Sequence, residues 1–173
     1  MNILLGISGG IAAYKTPELV RLFVKRGDTV RCVLTDNGAR LVSRHALATL
    51  SGHAVRSELW DEAGSIEHID LARWCDACVV APATADVLAR FALGLADDLL
   101  TTLFLALEPS KRVVLAPAMN TVMWEKSIVQ RHVTTLRENG ARLVGPVAGQ
   151  LACGEQGVGA MADLQAIVGA VDG

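Results

Sequence analysis

Cys153 stands in Gly149-Gln150-Leu151-Ala152-Cys153-Gly154-Glu155-Gln156-Gly157-Val158-Gly159-Ala160-Met161, a stretch with four glycines and neither helical nor strand periodicity. Most free cysteines act as small buried hydrophobes. A thiol on a glycine-rich segment instead reads as chemistry carried on a flap, although a loop that merely holds a cysteine fits this segment equally well. His68, in Ser65-Ile66-Glu67-His68-Ile69-Asp70-Leu71-Ala72, falls at or just before a helix start. Its acidic neighbours raise its basicity and a helix N-terminus lowers it, which makes it a candidate base. His45, His53 and His132 read as surface histidines. Asn120, in Pro117-Ala118-Met119-Asn120-Thr121-Val122-Met123-Trp124, either caps the following helix or points an amide into a site.

A fourth candidate is Gly6-Ile7-Ser8-Gly9-Gly10-Ile11-Ala12-Ala13. Small residues between a strand and a helix start expose backbone amides where the helix dipole favours an anion, so a phosphate-bearing cofactor fits. The spacing is neither the dinucleotide fingerprint nor the ATP loop. Without that fingerprint, Asp36 ranks low as a ribose ligand. Cys75 and Cys78 form a CxxC, but no second pair completes a zinc site and Cys78 opens an apolar strand, so a structural role is expected and no metal.

The elements that must position these residues alternate. Ile3–Ile7, Thr29–Leu34, Cys78–Ala81, Val113–Ala116 and Ala141–Val144 read as strands; the third and fourth are unbroken apolar runs, expected to be buried on both faces. Helices are expected over Ile11–Lys25 with Pro17 in a first turn or kink, and over Leu41–Leu50, Ala85–Leu93, Asp98–Leu107 and Val122–Glu138, with Asn37-Gly38 as a turn. Such alternation means βαβ units and a parallel sheet. Val79-Val80-Ala81-Pro82-Ala83 and Val114-Leu115-Ala116-Pro117-Ala118 are nearly one phrase, placed at strand carboxyl ends where open sheets bind ligands. Together they predict a smooth wall for a flat ring.

Composition narrows the rest. The 173 residues are 51% hydrophobic and 20% charged with a net charge of −2, which offers no basic footprint for nucleic acid. No apolar run approaches a membrane span and no cationic signal precedes Asn2-Ile3-Leu4-Leu5. Four cysteines then read as free thiols of a soluble, cytoplasmic, single-domain protein. So high an apolar fraction also predicts surface buried against other subunits.

Taken together, the chain resembles the homo-oligomeric flavin-containing cysteine decarboxylases from Gly6 to about Asp163. Pro117–Trp124 matches that family's PxMNxxMW pattern and Leu151-Ala152-Cys153-Gly154-Glu155 its ACGE/D pattern, and Ser8–Lys15 and the His68 segment match as well. The resemblance implies a flavodoxin-like (Rossmann-like) three-layer α/β fold with a parallel sheet, and one FMN-binding domain over 1–173 with a glycine-rich substrate flap at about 148–162. It also implies FMN, and homotrimers that can assemble into dodecamers with active sites between subunits. By position it places Gly9, Gly10, Ile11, Thr35 and Asn37 around the phosphate and ribityl chain, and Thr84, Ala85, Asp86 and Ala118 around the flavin. His68 becomes the base and Cys153 the proton donor on the flap, while Asn120, Met123, Leu151 and Ala152 contact the substrate. Asp86-Val87 stands where the family usually has Asn-Thr, and Ala160 where many bacterial members carry Arg. The implied activity is FMN-dependent decarboxylation of a terminal cysteine, on phosphopantothenoylcysteine in coenzyme A biosynthesis. The alternatives are oxidative decarboxylation of a peptide C-terminal cysteine to an enethiol, and a non-catalytic regulatory subunit.

Overall fold

The computed structural model describes residues 1–60, 67–152 and 154–172. In chain order, β1 (Asn2–Ile7) leads through a 3₁₀ turn (Ile11–Lys15) into α1 (Thr16–Lys25), β2 (Thr29–Leu34), α2 (Asp36–Ala39) and α3 (Arg44–Ser51). Then come α4 (Glu67–Trp74), β3 (Ala77–Ala83), α5 (Ala85–Leu93), α6 (Leu99–Ala106), β4 (Arg112–Pro117), α7 (Thr121–Glu125) and α8 (Ser127–Glu138). The chain closes with β5 (Arg142–Leu143), β6 (Val147–Gln150), β7 (Gln156–Ala160) and α9 (Leu164–Gly169).

Five strands form one sheet in the order β2-β1-β3-β4-β5, every neighbouring pair parallel. Side-chain alternation divides the apolar residues between two layers. Ile3, Leu5 and Ile7 of β1, with Val79 of β3 and Val114 of β4, pack beneath Leu19, Val20 and Phe23 of α1 and Ile167 of α9. Leu4, Val80 and Leu115 face the other way, toward Leu71 of α4, Leu88 of α5, Leu100 of α6 and Val133 of α8. β3 is buried at every position, as expected for a central strand covered on both faces. Each fully buried Leu, Ile or Val contributes about 1.5–3 kcal/mol by leaving water, so this two-sided packing holds the sheet. Order and layers are those of a flavodoxin-like three-layer α/β fold.

Several elements differ from the pattern-based expectation. The Ile11–Lys25 helix is a 3₁₀ turn followed by an α-helix, because Pro17 lies in the first turn of α1, where its missing N–H costs nothing. Asn37-Gly38 sits inside the one-turn α2, and the following helix begins only at Arg44, behind a Ser43 cap whose hydroxyl accepts from the Ala46 N–H. The segment 122–138 is two helices, since Lys126 is extended, and the Gln130 amide donates to the Trp124 carbonyl left open there at 2.6 Å. The glycine-rich 148–162 segment is no featureless loop: β6 and β7 pair antiparallel as a separate two-stranded sheet. Its strands are short and built mostly of glycine, alanine and valine, so no period-2 signal reveals them.

Candidate active site

The connection order reverses between β1 and β3, and a crevice opens there past the strand carboxyl ends. A cavity of about 800 Å³ fills this crevice, walled by Ser8–Ala12, Tyr14 and Lys15 after β1, Asn37 after β2, Thr84–Val87 after β3, and Ala118–Asn120 and Met123 after β4. Gln150, Leu151, Ala152, Gly159, Ala160 and Met161 of the hairpin region complete it.

The floor is built by close approach. A Cβ on Gly9 would overlap that of Asn37, and one on Gly10 would lie 3.2 Å from Pro82 and 3.3 Å from Thr84. Buried Ser8 ties these loops together, donating to the Pro82 carbonyl at 2.7 Å and accepting from the Thr84 N–H at 3.2 Å. The first Ala-Pro-Ala phrase therefore backs Gly10 instead of facing the cavity, whereas Ala118 of the second does line it. The two phrases are not the symmetric ring wall that their likeness predicts.

Thr84 caps α5 by accepting from the Val87 N–H at 3.3 Å. Asp86, where a neutral Asn is usual in the similar family, bonds its carboxylate to Arg90 at 3.0 Å, and Arg90 also reaches Asp97. Hydrogen bonds to Asp97, then Asp86, raise the already high pKa of Arg90 further. The Asp86 carboxylate at the mouth is thus paired and not a bare anion. Gly10, as N-cap of the 3₁₀ turn, supplies no side-chain acceptor to its first amides, and Lys15 is the one cation among the described wall residues.

Asn120 is both a cap and a wall residue. Its Oδ1 accepts from the Val122 N–H at 2.8 Å, while its Nδ2 donates to Glu155 Oε2 at 2.9 Å. Of the expected site residues, Gly9, Gly10, Ile11, Asn37, Thr84, Ala85, Asp86, Ala118, Asn120, Met123, Leu151 and Ala152 meet on this wall. Thr35 does not; its hydroxyl caps α2, accepting from the Gly38 N–H at 3.1 Å, and so braces the Asn37 turn from behind. His68, in the first turn of α4, lies off the wall of its own chain, and its Nδ1 is buried with no hydrogen-bond partner among the described residues. Cys153 lies outside the described residues.

Ser8, Lys15, Gln150 and Glu155 join the arrangement without having been singled out as site residues, although all four sit inside stretches that the sequence marks out. His132 is half-buried, and its Nδ1 has no hydrogen-bond partner among the described residues. Cys75 and Cys78 are fully buried, and burial raises both thiol pKa values. Among the described residues no cluster of His, Cys, Asp or Glu could hold a metal ion.

The whole length, residues 1–173, matches the Flavoprotein family model. The chain belongs to the flavoprotein family. This flavoprotein is 46% identical over 168 residues to the coenzyme A biosynthesis bifunctional protein CoaBC of Haemophilus influenzae, an alignment that covers 96% of this chain and 42% of that protein. It thus spans less than half the length of the curated relatives it matches. Among solved structures, a cysteine-to-serine mutant of PPC decarboxylase complexed with pantothenoylaminoethenethiol superposes with a TM-score of 0.91 at 35% identity, covering 98% of this flavoprotein and 95% of that chain. The FMN binding protein AtHal3 follows with a TM-score of 0.87 at 35% identity, over 98% and 94% of the two chains.

Proposed function

We propose that this flavoprotein binds FMN in the 800 Å³ cavity and decarboxylates phosphopantothenoylcysteine to pantetheine phosphate in coenzyme A biosynthesis. The observation that carries the reading is the joining of a glycine cradle to the Asn120 amide in one cavity, in a chain that superposes on a PPC decarboxylase almost end to end. The cradle fits the cofactor: Gly9 and Gly10 lack the side chains that would fill it, and the adjoining wall is small, from Ala85 and Ala118. Gly9, Gly10, Ile11 and Asn37 would hold its phosphate and ribityl chain, Thr84, Ala85, Asp86 and Ala118 the ring, with Thr35 as a brace.

Bound FMN supplies reversible two-electron oxidation at the thiol-bearing carbon. The protein supplies the rest. His68 takes the substrate thiol proton at a ring nitrogen. Asn120 orients the substrate carboxylate with its amide, and removal of that carboxylate from water favours loss of CO₂. Met123, Leu151 and Ala152 pack on the substrate, and Cys153 on the flap delivers the proton that makes the product saturated. Because His68 does not reach its own cavity, the site is completed by another copy's α4. Ile11, Tyr14, Val122 and Met123, all large, apolar and exposed near the mouth, are the surface that such a copy covers. The assembly is a homotrimer, four of which can form a dodecamer. No helix among the described residues is long and apolar enough to cross a membrane, and the protein works in the cytoplasm as one domain.

A peptide ending in cysteine is the second reading. Ala160, small where many similar bacterial chains carry Arg, leaves the wall without a cation at that point. Mass analysis of products decides between them: phosphopantothenoylcysteine should lose CO₂ with no other net change. Release of an enethiol two mass units lighter, or turnover of a cysteine-ended peptide alone, would overturn the first reading.

A further inference from the structure

The hairpin is pinned at two points to one loop, the β4–α7 connection. At its root the Met119 N–H donates to the Gly159 carbonyl at 3.0 Å, an approach possible because Gly159 has no Cβ to strike the Met119 carbonyl. At its tip a tight turn, closed by Leu151 N–H to Glu155 carbonyl at 2.8 Å and Gly154 N–H to Leu151 carbonyl at 2.9 Å, brings the Glu155 carboxylate 2.9 Å from Asn120 Nδ2. That turn carries Leu151 and Ala152 onto the cavity wall.

An asparagine amide has two flips of nearly equal shape, distinguished only by what each end faces. With Oδ1 against the Val122 N–H and Nδ2 against a carboxylate, both ends are matched. The flipped amide would set oxygen against carboxylate and NH₂ against N–H, so it is disfavoured twice. Remove the carboxylate and the charge-assisted contact that favours this flip is lost.

We infer that Glu155 is a positioning residue, whose carboxylate on Asn120 both selects the amide flip that meets the substrate carboxylate and latches the hairpin tip against the cavity. The inference rests on the reading above for the identity of the substrate, but the latch itself exists without substrate and is measurable without turnover. The bond is charge-assisted yet exposed, so its loss should show as a change of about five- to tenfold, not several hundredfold.

The test uses FMN-loaded, full-length protein and two readouts. Hydrogen exchange of the 149–156 amides, without substrate, should rise about five- to tenfold in Glu155→Ala and equally in Asn120→Ala, with no further rise in the double variant. Turnover of phosphopantothenoylcysteine should fall about tenfold in kcat/KM for Glu155→Ala and recover to within about threefold of wild type in Glu155→Gln, which keeps an acceptor oxygen. Unchanged exchange in Glu155→Ala, additive effects in the double variant, or a Gln variant as damaged as the Ala variant would each overturn the latch. A wild type inert toward phosphopantothenoylcysteine would defeat the substrate reading alone, since the exchange result still decides the latch.

Discussion

Replacing Gly9 by alanine puts a Cβ on top of the Asn37 Cβ, with the Asn37 backbone carbonyl carbon 3.2 Å and its Cα 3.3 Å away. Little can yield there. The Asn37 turn is held by the Thr35 cap, and its neighbour Gly38 packs so near the Ile7 carbonyl that even a Cβ there would strike it. Strain can be relieved only by parting the loops that follow β1 and β2, the two loops assigned to the phosphate and ribityl chain. Overpacking of this kind costs about 1–3 kcal/mol, which is roughly 5- to 150-fold in an equilibrium constant. Gly10→Ala is the internal control: its Cβ would meet side-chain carbons of Pro82 and Thr84 at 3.2–3.5 Å, contacts that a shift of a few tenths of an ångström relieves. It should cost under about 1 kcal/mol, or less than about fivefold. FMN titration of each apoprotein, followed by quenching of flavin fluorescence, gives the affinities, and thermal melts of the same apoproteins separate a damaged cavity from a damaged fold. Gly9→Ala binding FMN within twofold of wild type, or Gly10→Ala binding worse than Gly9→Ala, would refute the cradle.

Two further outcomes are expected. His68→Asn and Asn120→Ala should each lose at least about 100-fold in turnover, yet subunits of the two dissociated and mixed in equal amounts should regain activity at about a quarter of their sites if each site draws on two copies; mixtures no more active than their parents would show that His68 serves its own chain. Burial by itself would raise the Asp28 pKa, but hydrogen bonds from Arg26 at 2.6 Å and the Met1 ammonium at 2.9 Å outweigh it and leave it below the ordinary carboxylate value. Its stabilisation is therefore present above the unfolded pKa of about 3.9 and lost as pH falls through the lower folded value. Urea midpoints of wild type and Asp28→Asn should differ at pH 7 and converge in that acid range, and a constant difference would count against the pairing.

Much of the sheet is legible in the sequence because its central strands are saturated with apolar residues. The pattern predicts helix over Ala85–Leu93, and α5 has those bounds, with Thr84 and Gly94 as its caps. Thr29–Leu34 is likewise β2. What the pattern misses is governed by tertiary contacts. Gln130 must reach back to Trp124 before the break at Lys126 is tolerable, and nothing local announces that partner. The hairpin strands are readable only once the β4–α7 loop is in place for them to lie against. The site divides the same way: the motifs hold most of the wall, but the Asn120–Glu155 bond joins residues 35 apart in sequence. The placement of His68 off the wall follows from topology, which residue type cannot reveal.

Among the described residues, the hairpin shares no strand pairing with the main sheet. A two-stranded ribbon is at best marginally stable by itself, so its order is borrowed from the loop it touches and from whatever fills the cavity. Two physical constraints therefore act on one chain. The five-stranded sheet answers to folding, and a change there disturbs register and both packed layers at once. The hairpin answers to what is bound: apart from Cys153, Glu155 and Gly159, its residues can change while the sheet and the glycine cradle stay as they are. Substitutions that alter substrate preference should therefore be tolerated best between residues 147 and 160, at small stability cost.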